Sequence, residues 1–198
     1  MRILVVGMGL IGGSICKSIK AATSHAVYGC DVQQAVLDDA ITDGAIDGTG
    51  TMTDDTYDMI ILCLHQRIAI QMVQEALPKI PAGTILVDTC GLKGRMVRDL
   101  TYRCRKAGVR YVGTHPMAGR EKNGYYASIP NLFQNANLIV TPVDGTDEAA
   151  LDTVKELADQ MGFGKIVTAT PMWHDNMIAY TSQLAHVVSS SYVKDFCM

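Results

Sequence analysis

What the 198 residues lack narrows the field first. No apolar run reaches the roughly 18 residues of a membrane-spanning helix, so no bilayer crossing is expected. Basic residues are not in excess: 17 Lys and Arg stand against 20 Asp and Glu, a net charge of −3, which gives no global positive field to draw nucleic acid. The six cysteines, Cys16, Cys30, Cys63, Cys90, Cys104 and Cys197, never form a CxxC pair. Several fall beside apolar residues in expected strands or helices. Buried, reduced thiols of a cytoplasmic protein are therefore expected, with no disulfide framework and no metal site. Met1 leads directly into the first apolar run, which leaves no room for a signal peptide. There is no internal repeat, low-complexity tract or linker, and the length suggests one domain, or one with the beginning of another. With 48% hydrophobic and 19% charged residues, the chain has enough apolar material for a large core.

What is present begins with a glycine turn. The apolar residues 3–6 run into Gly7-Met8-Gly9-Leu10-Ile11-Gly12, and an amphipathic stretch, 11–19, follows. That order is strand, tight turn, helix. Gly7 permits the sharp turn, Gly9 lets a pyrophosphate approach the backbone, and Gly12 lets helix and strand pack closely. Phosphates would sit on the helix N-terminus, where free N–H groups and the positive dipole end point at them. The other reading of such a turn is a bland strand–helix connection. The strand before it, the helix after it and an acid at the right distance agree on a dinucleotide site.

That acid is Asp31, which closes the expected second strand, residues 25–31. In such a unit it accepts hydrogen bonds from the adenosine ribose hydroxyls and repels a 2′-phosphate. Val32 and Gln33 follow, with no Arg to hold such a phosphate, so NAD is favoured over NADP. Alternatively, Asp31 merely caps a short helix from Gln33 to about Thr42. Residues 45–56, rich in Gly, Thr and Asp, read as an irregular connection.

Further strands are expected at 59–64, 84–88, 111–114, 138–141 and 165–168, with helices at 68–77, from the turn after Asp88 to about 107, at 144–161, and from Pro171 to about Phe196. Continuous apolar strands of this kind suit a parallel sheet covered on both faces. The fold class is therefore α/β, a Rossmann-type doubly wound, mostly parallel sheet. His65, at the carboxyl edge of its strand, either lines the cofactor cleft or is an ordinary strand-end residue. Lys93 stands in the first turn of a helix, on the cleft side, where a cation does not suit the helix dipole. An anionic ligand is the expectation there.

A second constellation is His115-Pro116-Met117-Ala118-Gly119-Arg120-Glu121. His115 would stand in a loop at a strand's end on the ligand edge, where an imidazole can take a proton from a substrate hydroxyl near neutral pH. Arg120 offers charge for a carboxylate, and Glu121 can orient it. On the last helix His174, Ile178, Ser182 and His186 follow at four-residue spacing beside Gln183. They form either a polar interfacial flank with ordered water or a face turned to a ligand at His186.

Taken together, Gly7-Met8-Gly9-Leu10-Ile11-Gly12-Gly13-Ser14, the His115 block and the segment from His174 to His186 resemble the prephenate/arogenate dehydrogenase family. The resemblance spans essentially the whole chain. It implies an NAD-binding Rossmann-type domain, 1–169, and a long helix, 170–198, opening a helical dimerisation domain that this chain carries only in part. It implies oxidative decarboxylation of prephenate to 4-hydroxyphenylpyruvate with NAD, in the cytoplasm, by a homodimer joined through the C-terminal helix. His115 matches the family's catalytic histidine. Lys93, Arg120, Glu121, Gln183 and His186 fall to the substrate, and Gly7, Gly9, Leu10, Ile11, Gly12, Asp31 and His65 to the cofactor. Arogenate as substrate, another β-hydroxyacid-type dehydrogenase, and a non-catalytic NAD-binding module remain open. Where many members carry Gly-Ser-x-Lys, this chain has Cys90-Gly91-Leu92-Lys93 and lacks the serine hydroxyl.

Overall fold

A computed structural model describes residues 1–54 and 56–183. The chain opens with β1 (Arg2–Val6), α1 (Leu10–Ala22), β2 (Ala26–Cys30), α2 (Gln34–Thr42) and the two-residue β3 (Gly48–Thr49). It continues with β4 (Met59–Leu62), α3 (Gln66–Ala76), β5 (Ile85–Asp88), α4 (Gly94–Lys106) and β6 (Arg110–Met117). β7 (Asn137–Val140), α5 (Glu148–Gln160), β8 (Lys165–Thr168) and α6 (Pro171–Ile178) complete the regular elements. All eight strands form one sheet in the order β3-β2-β1-β4-β5-β6-β7-β8. Every neighbouring pair is parallel except β6 with β7.

The unbroken apolar strands are explained by two-sided burial. In β1, Ile3 and Val5 enter one core while Leu4 and Val6 enter the other, and Met59/Ile61 and Ile60/Leu62 divide β4 in the same way. Successive side chains point to opposite faces, so a strand with a core on each side needs apolar residues throughout. Ile15 and Ile19 of α1, Leu37 of α2 and Val154 and Leu157 of α5 close the first core. Ile70 and Val73 of α3 with Val97 and Leu100 of α4 close the second. After β1 the chain moves outward to β2 and β3, then returns to the other side of β1 at β4. This reversal leaves a crevice at the carboxyl ends of β1 and β4, where ligands bind in folds of this kind. Among the described residues no helix is long and apolar enough to cross a membrane.

Four expectations change. The connection 45–56 is not wholly irregular, because Gly48 and Thr49 pair with Tyr28 and Gly29 as a short edge strand. The helix expected at 144–161 starts only at Glu148, where Asp147 accepts a hydrogen bond from the Ala150 N–H at 2.7 Å and caps it. β6 does not stop at Thr114. Its first half pairs with β5 as far as Gly113, and residues 114–117 pair antiparallel with β7, so His115 lies within a strand opposite Ile139. Among the described residues no strand pairs with the β5 side of β6 past Gly113, an edge that tolerates Pro116. Finally, the helix expected at 171–196 is α-helical only to Ile178 and then winds more widely, as a π-helical turn, over Ala179–Gln183. Its remainder lies outside the described residues.

Candidate active site

At one end of the crevice the glycine turn has the geometry that the motif requires. Gly7 sits at φ +93°, and a side chain there would drive into the Cys63 carbonyl. At Gly12 a Cβ would come within 1.9 Å of the Gly7 carbonyl oxygen, so helix and strand can meet only through glycine. Above Gly9 the space is open, and no side chain caps the start of α1. The N–H groups of that first turn are thus free for an anion. Asp31 accepts hydrogen bonds from the Met8 N–H at 2.7 Å and from the Gln33 N–H at 3.0 Å. Asp31 thus ties the glycine turn to the residue that precedes α2. A carboxylate has about four acceptor positions, so capacity for ribose hydroxyls remains.

On the same carboxyl edge a cleft of about 670 Å³ opens beside β4, the strand next to β1, and extends to β6, three strand spacings or about 14 Å from β1 at roughly 4.8 Å each. Leu64, His65 and Gln66 line it beyond β4, and Cys90, Gly91 and Leu92 beyond β5. Residues 115–119 and Ile178 of α6 complete the wall. A wider surface groove of about 830 Å³, beside Arg98, Tyr102, Arg103 and Lys106 of α4, contains none of the expected site residues. Burial pushes the Cys90 thiol up to about 12, with Asp88 adding to it, so the cleft offers no thiolate at neutral pH.

His115 is half-buried in this wall. Its Nδ1 lies 2.9 Å from Nε2 of His174, and the two rings meet edge to face. The outer edge of the imidazole, Nε2 and Cε1, faces Gly91, whose Cβ position would lie 3.8 Å from both atoms. Burial holds the His115 pKa down to about 4; His174 and Lys93 lower it further, against the pull of Asp88 and Asp175. The ring is therefore neutral near pH 7 and keeps a lone pair for a proton. Behind it His174 is fully buried, and its Nδ1 lies 2.8 Å from Oδ1 of Asp175. The same carboxylate accepts the Lys93 N–H at 2.7 Å and the Gly94 N–H at 2.8 Å, closing the start of α4. Burial raises the Asp175 pKa, but these backbone donors and His174 outweigh it, so the group stays an anion. Local sequence places the pair: Thr170 caps α6 through the Trp173 N–H, and Pro171 opens it. His174 and Asp175 then fall one turn inside.

Lys93 is a correction. Its side chain is fully buried rather than turned to the cleft. The ammonium pairs with Asp88 and donates to the Thr114 carbonyl at 2.5 Å. Asp88 also accepts from the Tyr111 hydroxyl at 2.6 Å and the Cys90 N–H at 2.9 Å, which satisfies both oxygens. An isolated buried charge is very costly, so each partner requires the other. The cation that seemed misplaced against the helix dipole has its anion inside the protein.

The remaining expected residues divide. His65 is exposed, precedes α3 and lines the cleft. Leu10 and Ile11 open α1 beside the glycine turn. Arg120 and Glu121 are exposed, and Arg120 donates to the Ala127 carbonyl at 2.8 Å within its own loop, beyond the wall that ends at Gly119. Gln183 ends the last described element, and His186 lies outside the described residues. Sequence reasoning missed Asp175 and treated His174 only as part of a polar flank. The available signal was an acid next to a histidine in the first turns of an otherwise apolar helix.

The comparisons with known proteins agree with this architecture. The family described as prephenate dehydrogenase, nucleotide-binding domain, matches residues 15–168. Prephenate dehydrogenase of Bacillus subtilis is 30% identical over 196 residues, covering 96% of this chain and 52% of that protein. A crystal structure of prephenate dehydrogenase from A. aeolicus, in complex with hydroxyphenyl propionate and NAD+, superposes with a TM-score of 0.89 at 29% identity. It covers 98% of this chain and 69% of that one. Synechocystis arogenate dehydrogenase gives 0.85 at 27%, with 98% and 69% covered. The chain spans about half to just under two-thirds of the length of the curated relatives it matches. With a glycine turn and a histidine-lined cleft on one sheet edge, and with the nucleotide-binding family model covering well over half of its residues, this chain belongs to the prephenate dehydrogenase family.

Proposed function

We propose that this chain is the NAD-binding and proton-accepting part of a dehydrogenase that converts prephenate to 4-hydroxyphenylpyruvate with loss of carbon dioxide. The observation that carries this reading is the presence of the glycine turn and a neutral His115 on the same carboxyl edge, with open space above Gly9 and in front of His115. Residues 1–169 form the nucleotide-binding domain and 170–198 the start of a helical one. The residues present fit NAD: Gly7, Gly9, Leu10, Ile11 and Gly12 would hold its pyrophosphate, Asp31 its ribose, and His65 would lie along the cleft. When bound, NAD supplies the hydride acceptor. Nε2 of His115 receives the proton of the ring hydroxyl as the same carbon loses its hydride. The ring becomes aromatic as the carboxylate leaves, so the protein has mainly to position the acid and hold one base. Arg120, Glu121, Gln183 and His186 are the proposed substrate contacts.

The likeness to an arogenate dehydrogenase supports arogenate as the second candidate substrate. Exposed Met172, Trp173, Met177 and Tyr180 support pairing of this end with a second copy of the chain. The free thiols among the described residues support a reducing, cytoplasmic setting.

The test is steady-state turnover of prephenate and of arogenate with NAD, on the chain and on His115→Asn. The substitution should lower kcat by about 10²–10⁴-fold and leave KM nearly unchanged, whereas a loss below about threefold would remove His115 from the mechanism. Tight NAD binding without turnover of either acid would instead favour a nucleotide-binding module.

A further inference from the structure

With both rings neutral, the contacts behind His115 have one consistent pattern of protons. Asp175 is already the acceptor for the Lys93 and Gly94 N–H groups, and a carboxylate can only accept. The nitrogen of His174 facing it, Nδ1 at 2.8 Å, must therefore carry a hydrogen. In the neutral ring that leaves Nε2 of His174 bare. The atom opposite, Nδ1 of His115 at 2.9 Å, must then be the donor. Neutral His115 has a single ring hydrogen, so its Nε2, the atom beside Gly91, is left with a free lone pair on the cleft side.

We propose that His174 and Asp175 are positioning residues that fix His115 in its Nδ1–H tautomer, so that the nitrogen facing the cleft accepts a proton and cannot donate one. The proposal rests on the reading of His115 as the base only for its kinetic consequence. Its structural content stands alone. His174 is fully buried, so water does not compete for either of its nitrogens. The relay also has a rigid anchor, because the Asp175 carboxylate holds two backbone N–H groups at the start of α4. Without His174, nothing described here would stop the ring from turning or from carrying its hydrogen on Nε2, which would present a donor to the cleft.

The test uses histidine labelled with nitrogen-15 in the full chain, with the His115 signal identified by its loss in His115→Asn. In the unsubstituted protein near neutral pH, long-range proton–nitrogen correlation should show Nδ1 of His115 protonated and Nε2 bare. His174→Phe should shift that signal to the Nε2–H form. His174→Gln places an amide oxygen where Nε2 of His174 was and should keep the Nδ1–H form. If the chain turns over prephenate, kcat should fall by about tenfold or more in His174→Phe and by less in His174→Gln, with KM unmoved in both. An Nε2–H form in the unsubstituted protein overturns the proposal even if His174→Phe fails to fold, as does an unchanged tautomer in a folded His174→Phe. Absence of turnover together with the expected tautomer would count against the dehydrogenase reading and leave the relay standing.

Discussion

The glycine end of the crevice and the histidine end are assembled differently. Gly7, Gly9, Gly12 and Asp31 belong to one strand–helix–strand unit, and their task falls to backbone geometry: a positive φ, a close approach and uncapped N–H groups. At the other end, His115 meets His174 across 59 residues of sequence, and Asp175 reaches back 82 residues to Lys93. There the work is done by side chains that three separate segments bring together. A local backbone feature can be read from spacing, whereas a side-chain relay exists only once the sheet has formed.

Three measurements would break or sharpen this contrast. The largest effect is expected at the buried pair supporting the histidine end. Lys93→Met leaves the Asp88 carboxylate buried without its cation, and should cost roughly 3–5 kcal/mol of stability in denaturant unfolding. A loss below about 1 kcal/mol would mean that the long-range network is not a structural requirement. At the glycine end, Asp31→Ala should narrow the preference for NAD over NADP by about tenfold, the scale of a charge-assisted hydrogen bond. An unmoved ratio of kcat/KM values would confine Asp31 to holding the Met8 and Gln33 N–H groups. The subtlest test is pH. As the proposed base, His115 could accept a proton only when neutral, and burial lowers its pKa to about 4. Activity should therefore persist below the usual histidine range and decline only as pH falls through about 4. An acidic limb near the ordinary value of about 6.5 would show a wetter, more weakly coupled ring.

The sequence made the sheet legible because burial on both faces forces unbroken apolar strands, and the glycine turn because only glycine fits at Gly7 and Gly12. It also singled out His115, through the proline and glycine around it. It misplaced Lys93, since a cation at a helix start looks functional until its buried carboxylate, five residues earlier at the end of β5, is seen beside it. The strand containing His115 was expected too short, because its second half is held by β7, a partner more than twenty residues away. Nothing in the local pattern announces that pairing. Asp175 was passed over although it stands next to His174, because an acid in a helix's first turns is ordinarily a surface residue.

The carboxylate that closes the start of α4 has a consequence for how such a protein can be divided. A polypeptide cut after β8 would keep the sheet and the phosphate cradle. It would also strand two amide hydrogens and leave the imidazole free to spin on its strand. The seam between the nucleotide-binding body and the segment that follows it thus passes through the contacts of the proposed base. A chimera that keeps the chemistry must inherit both sides of that seam from one parent.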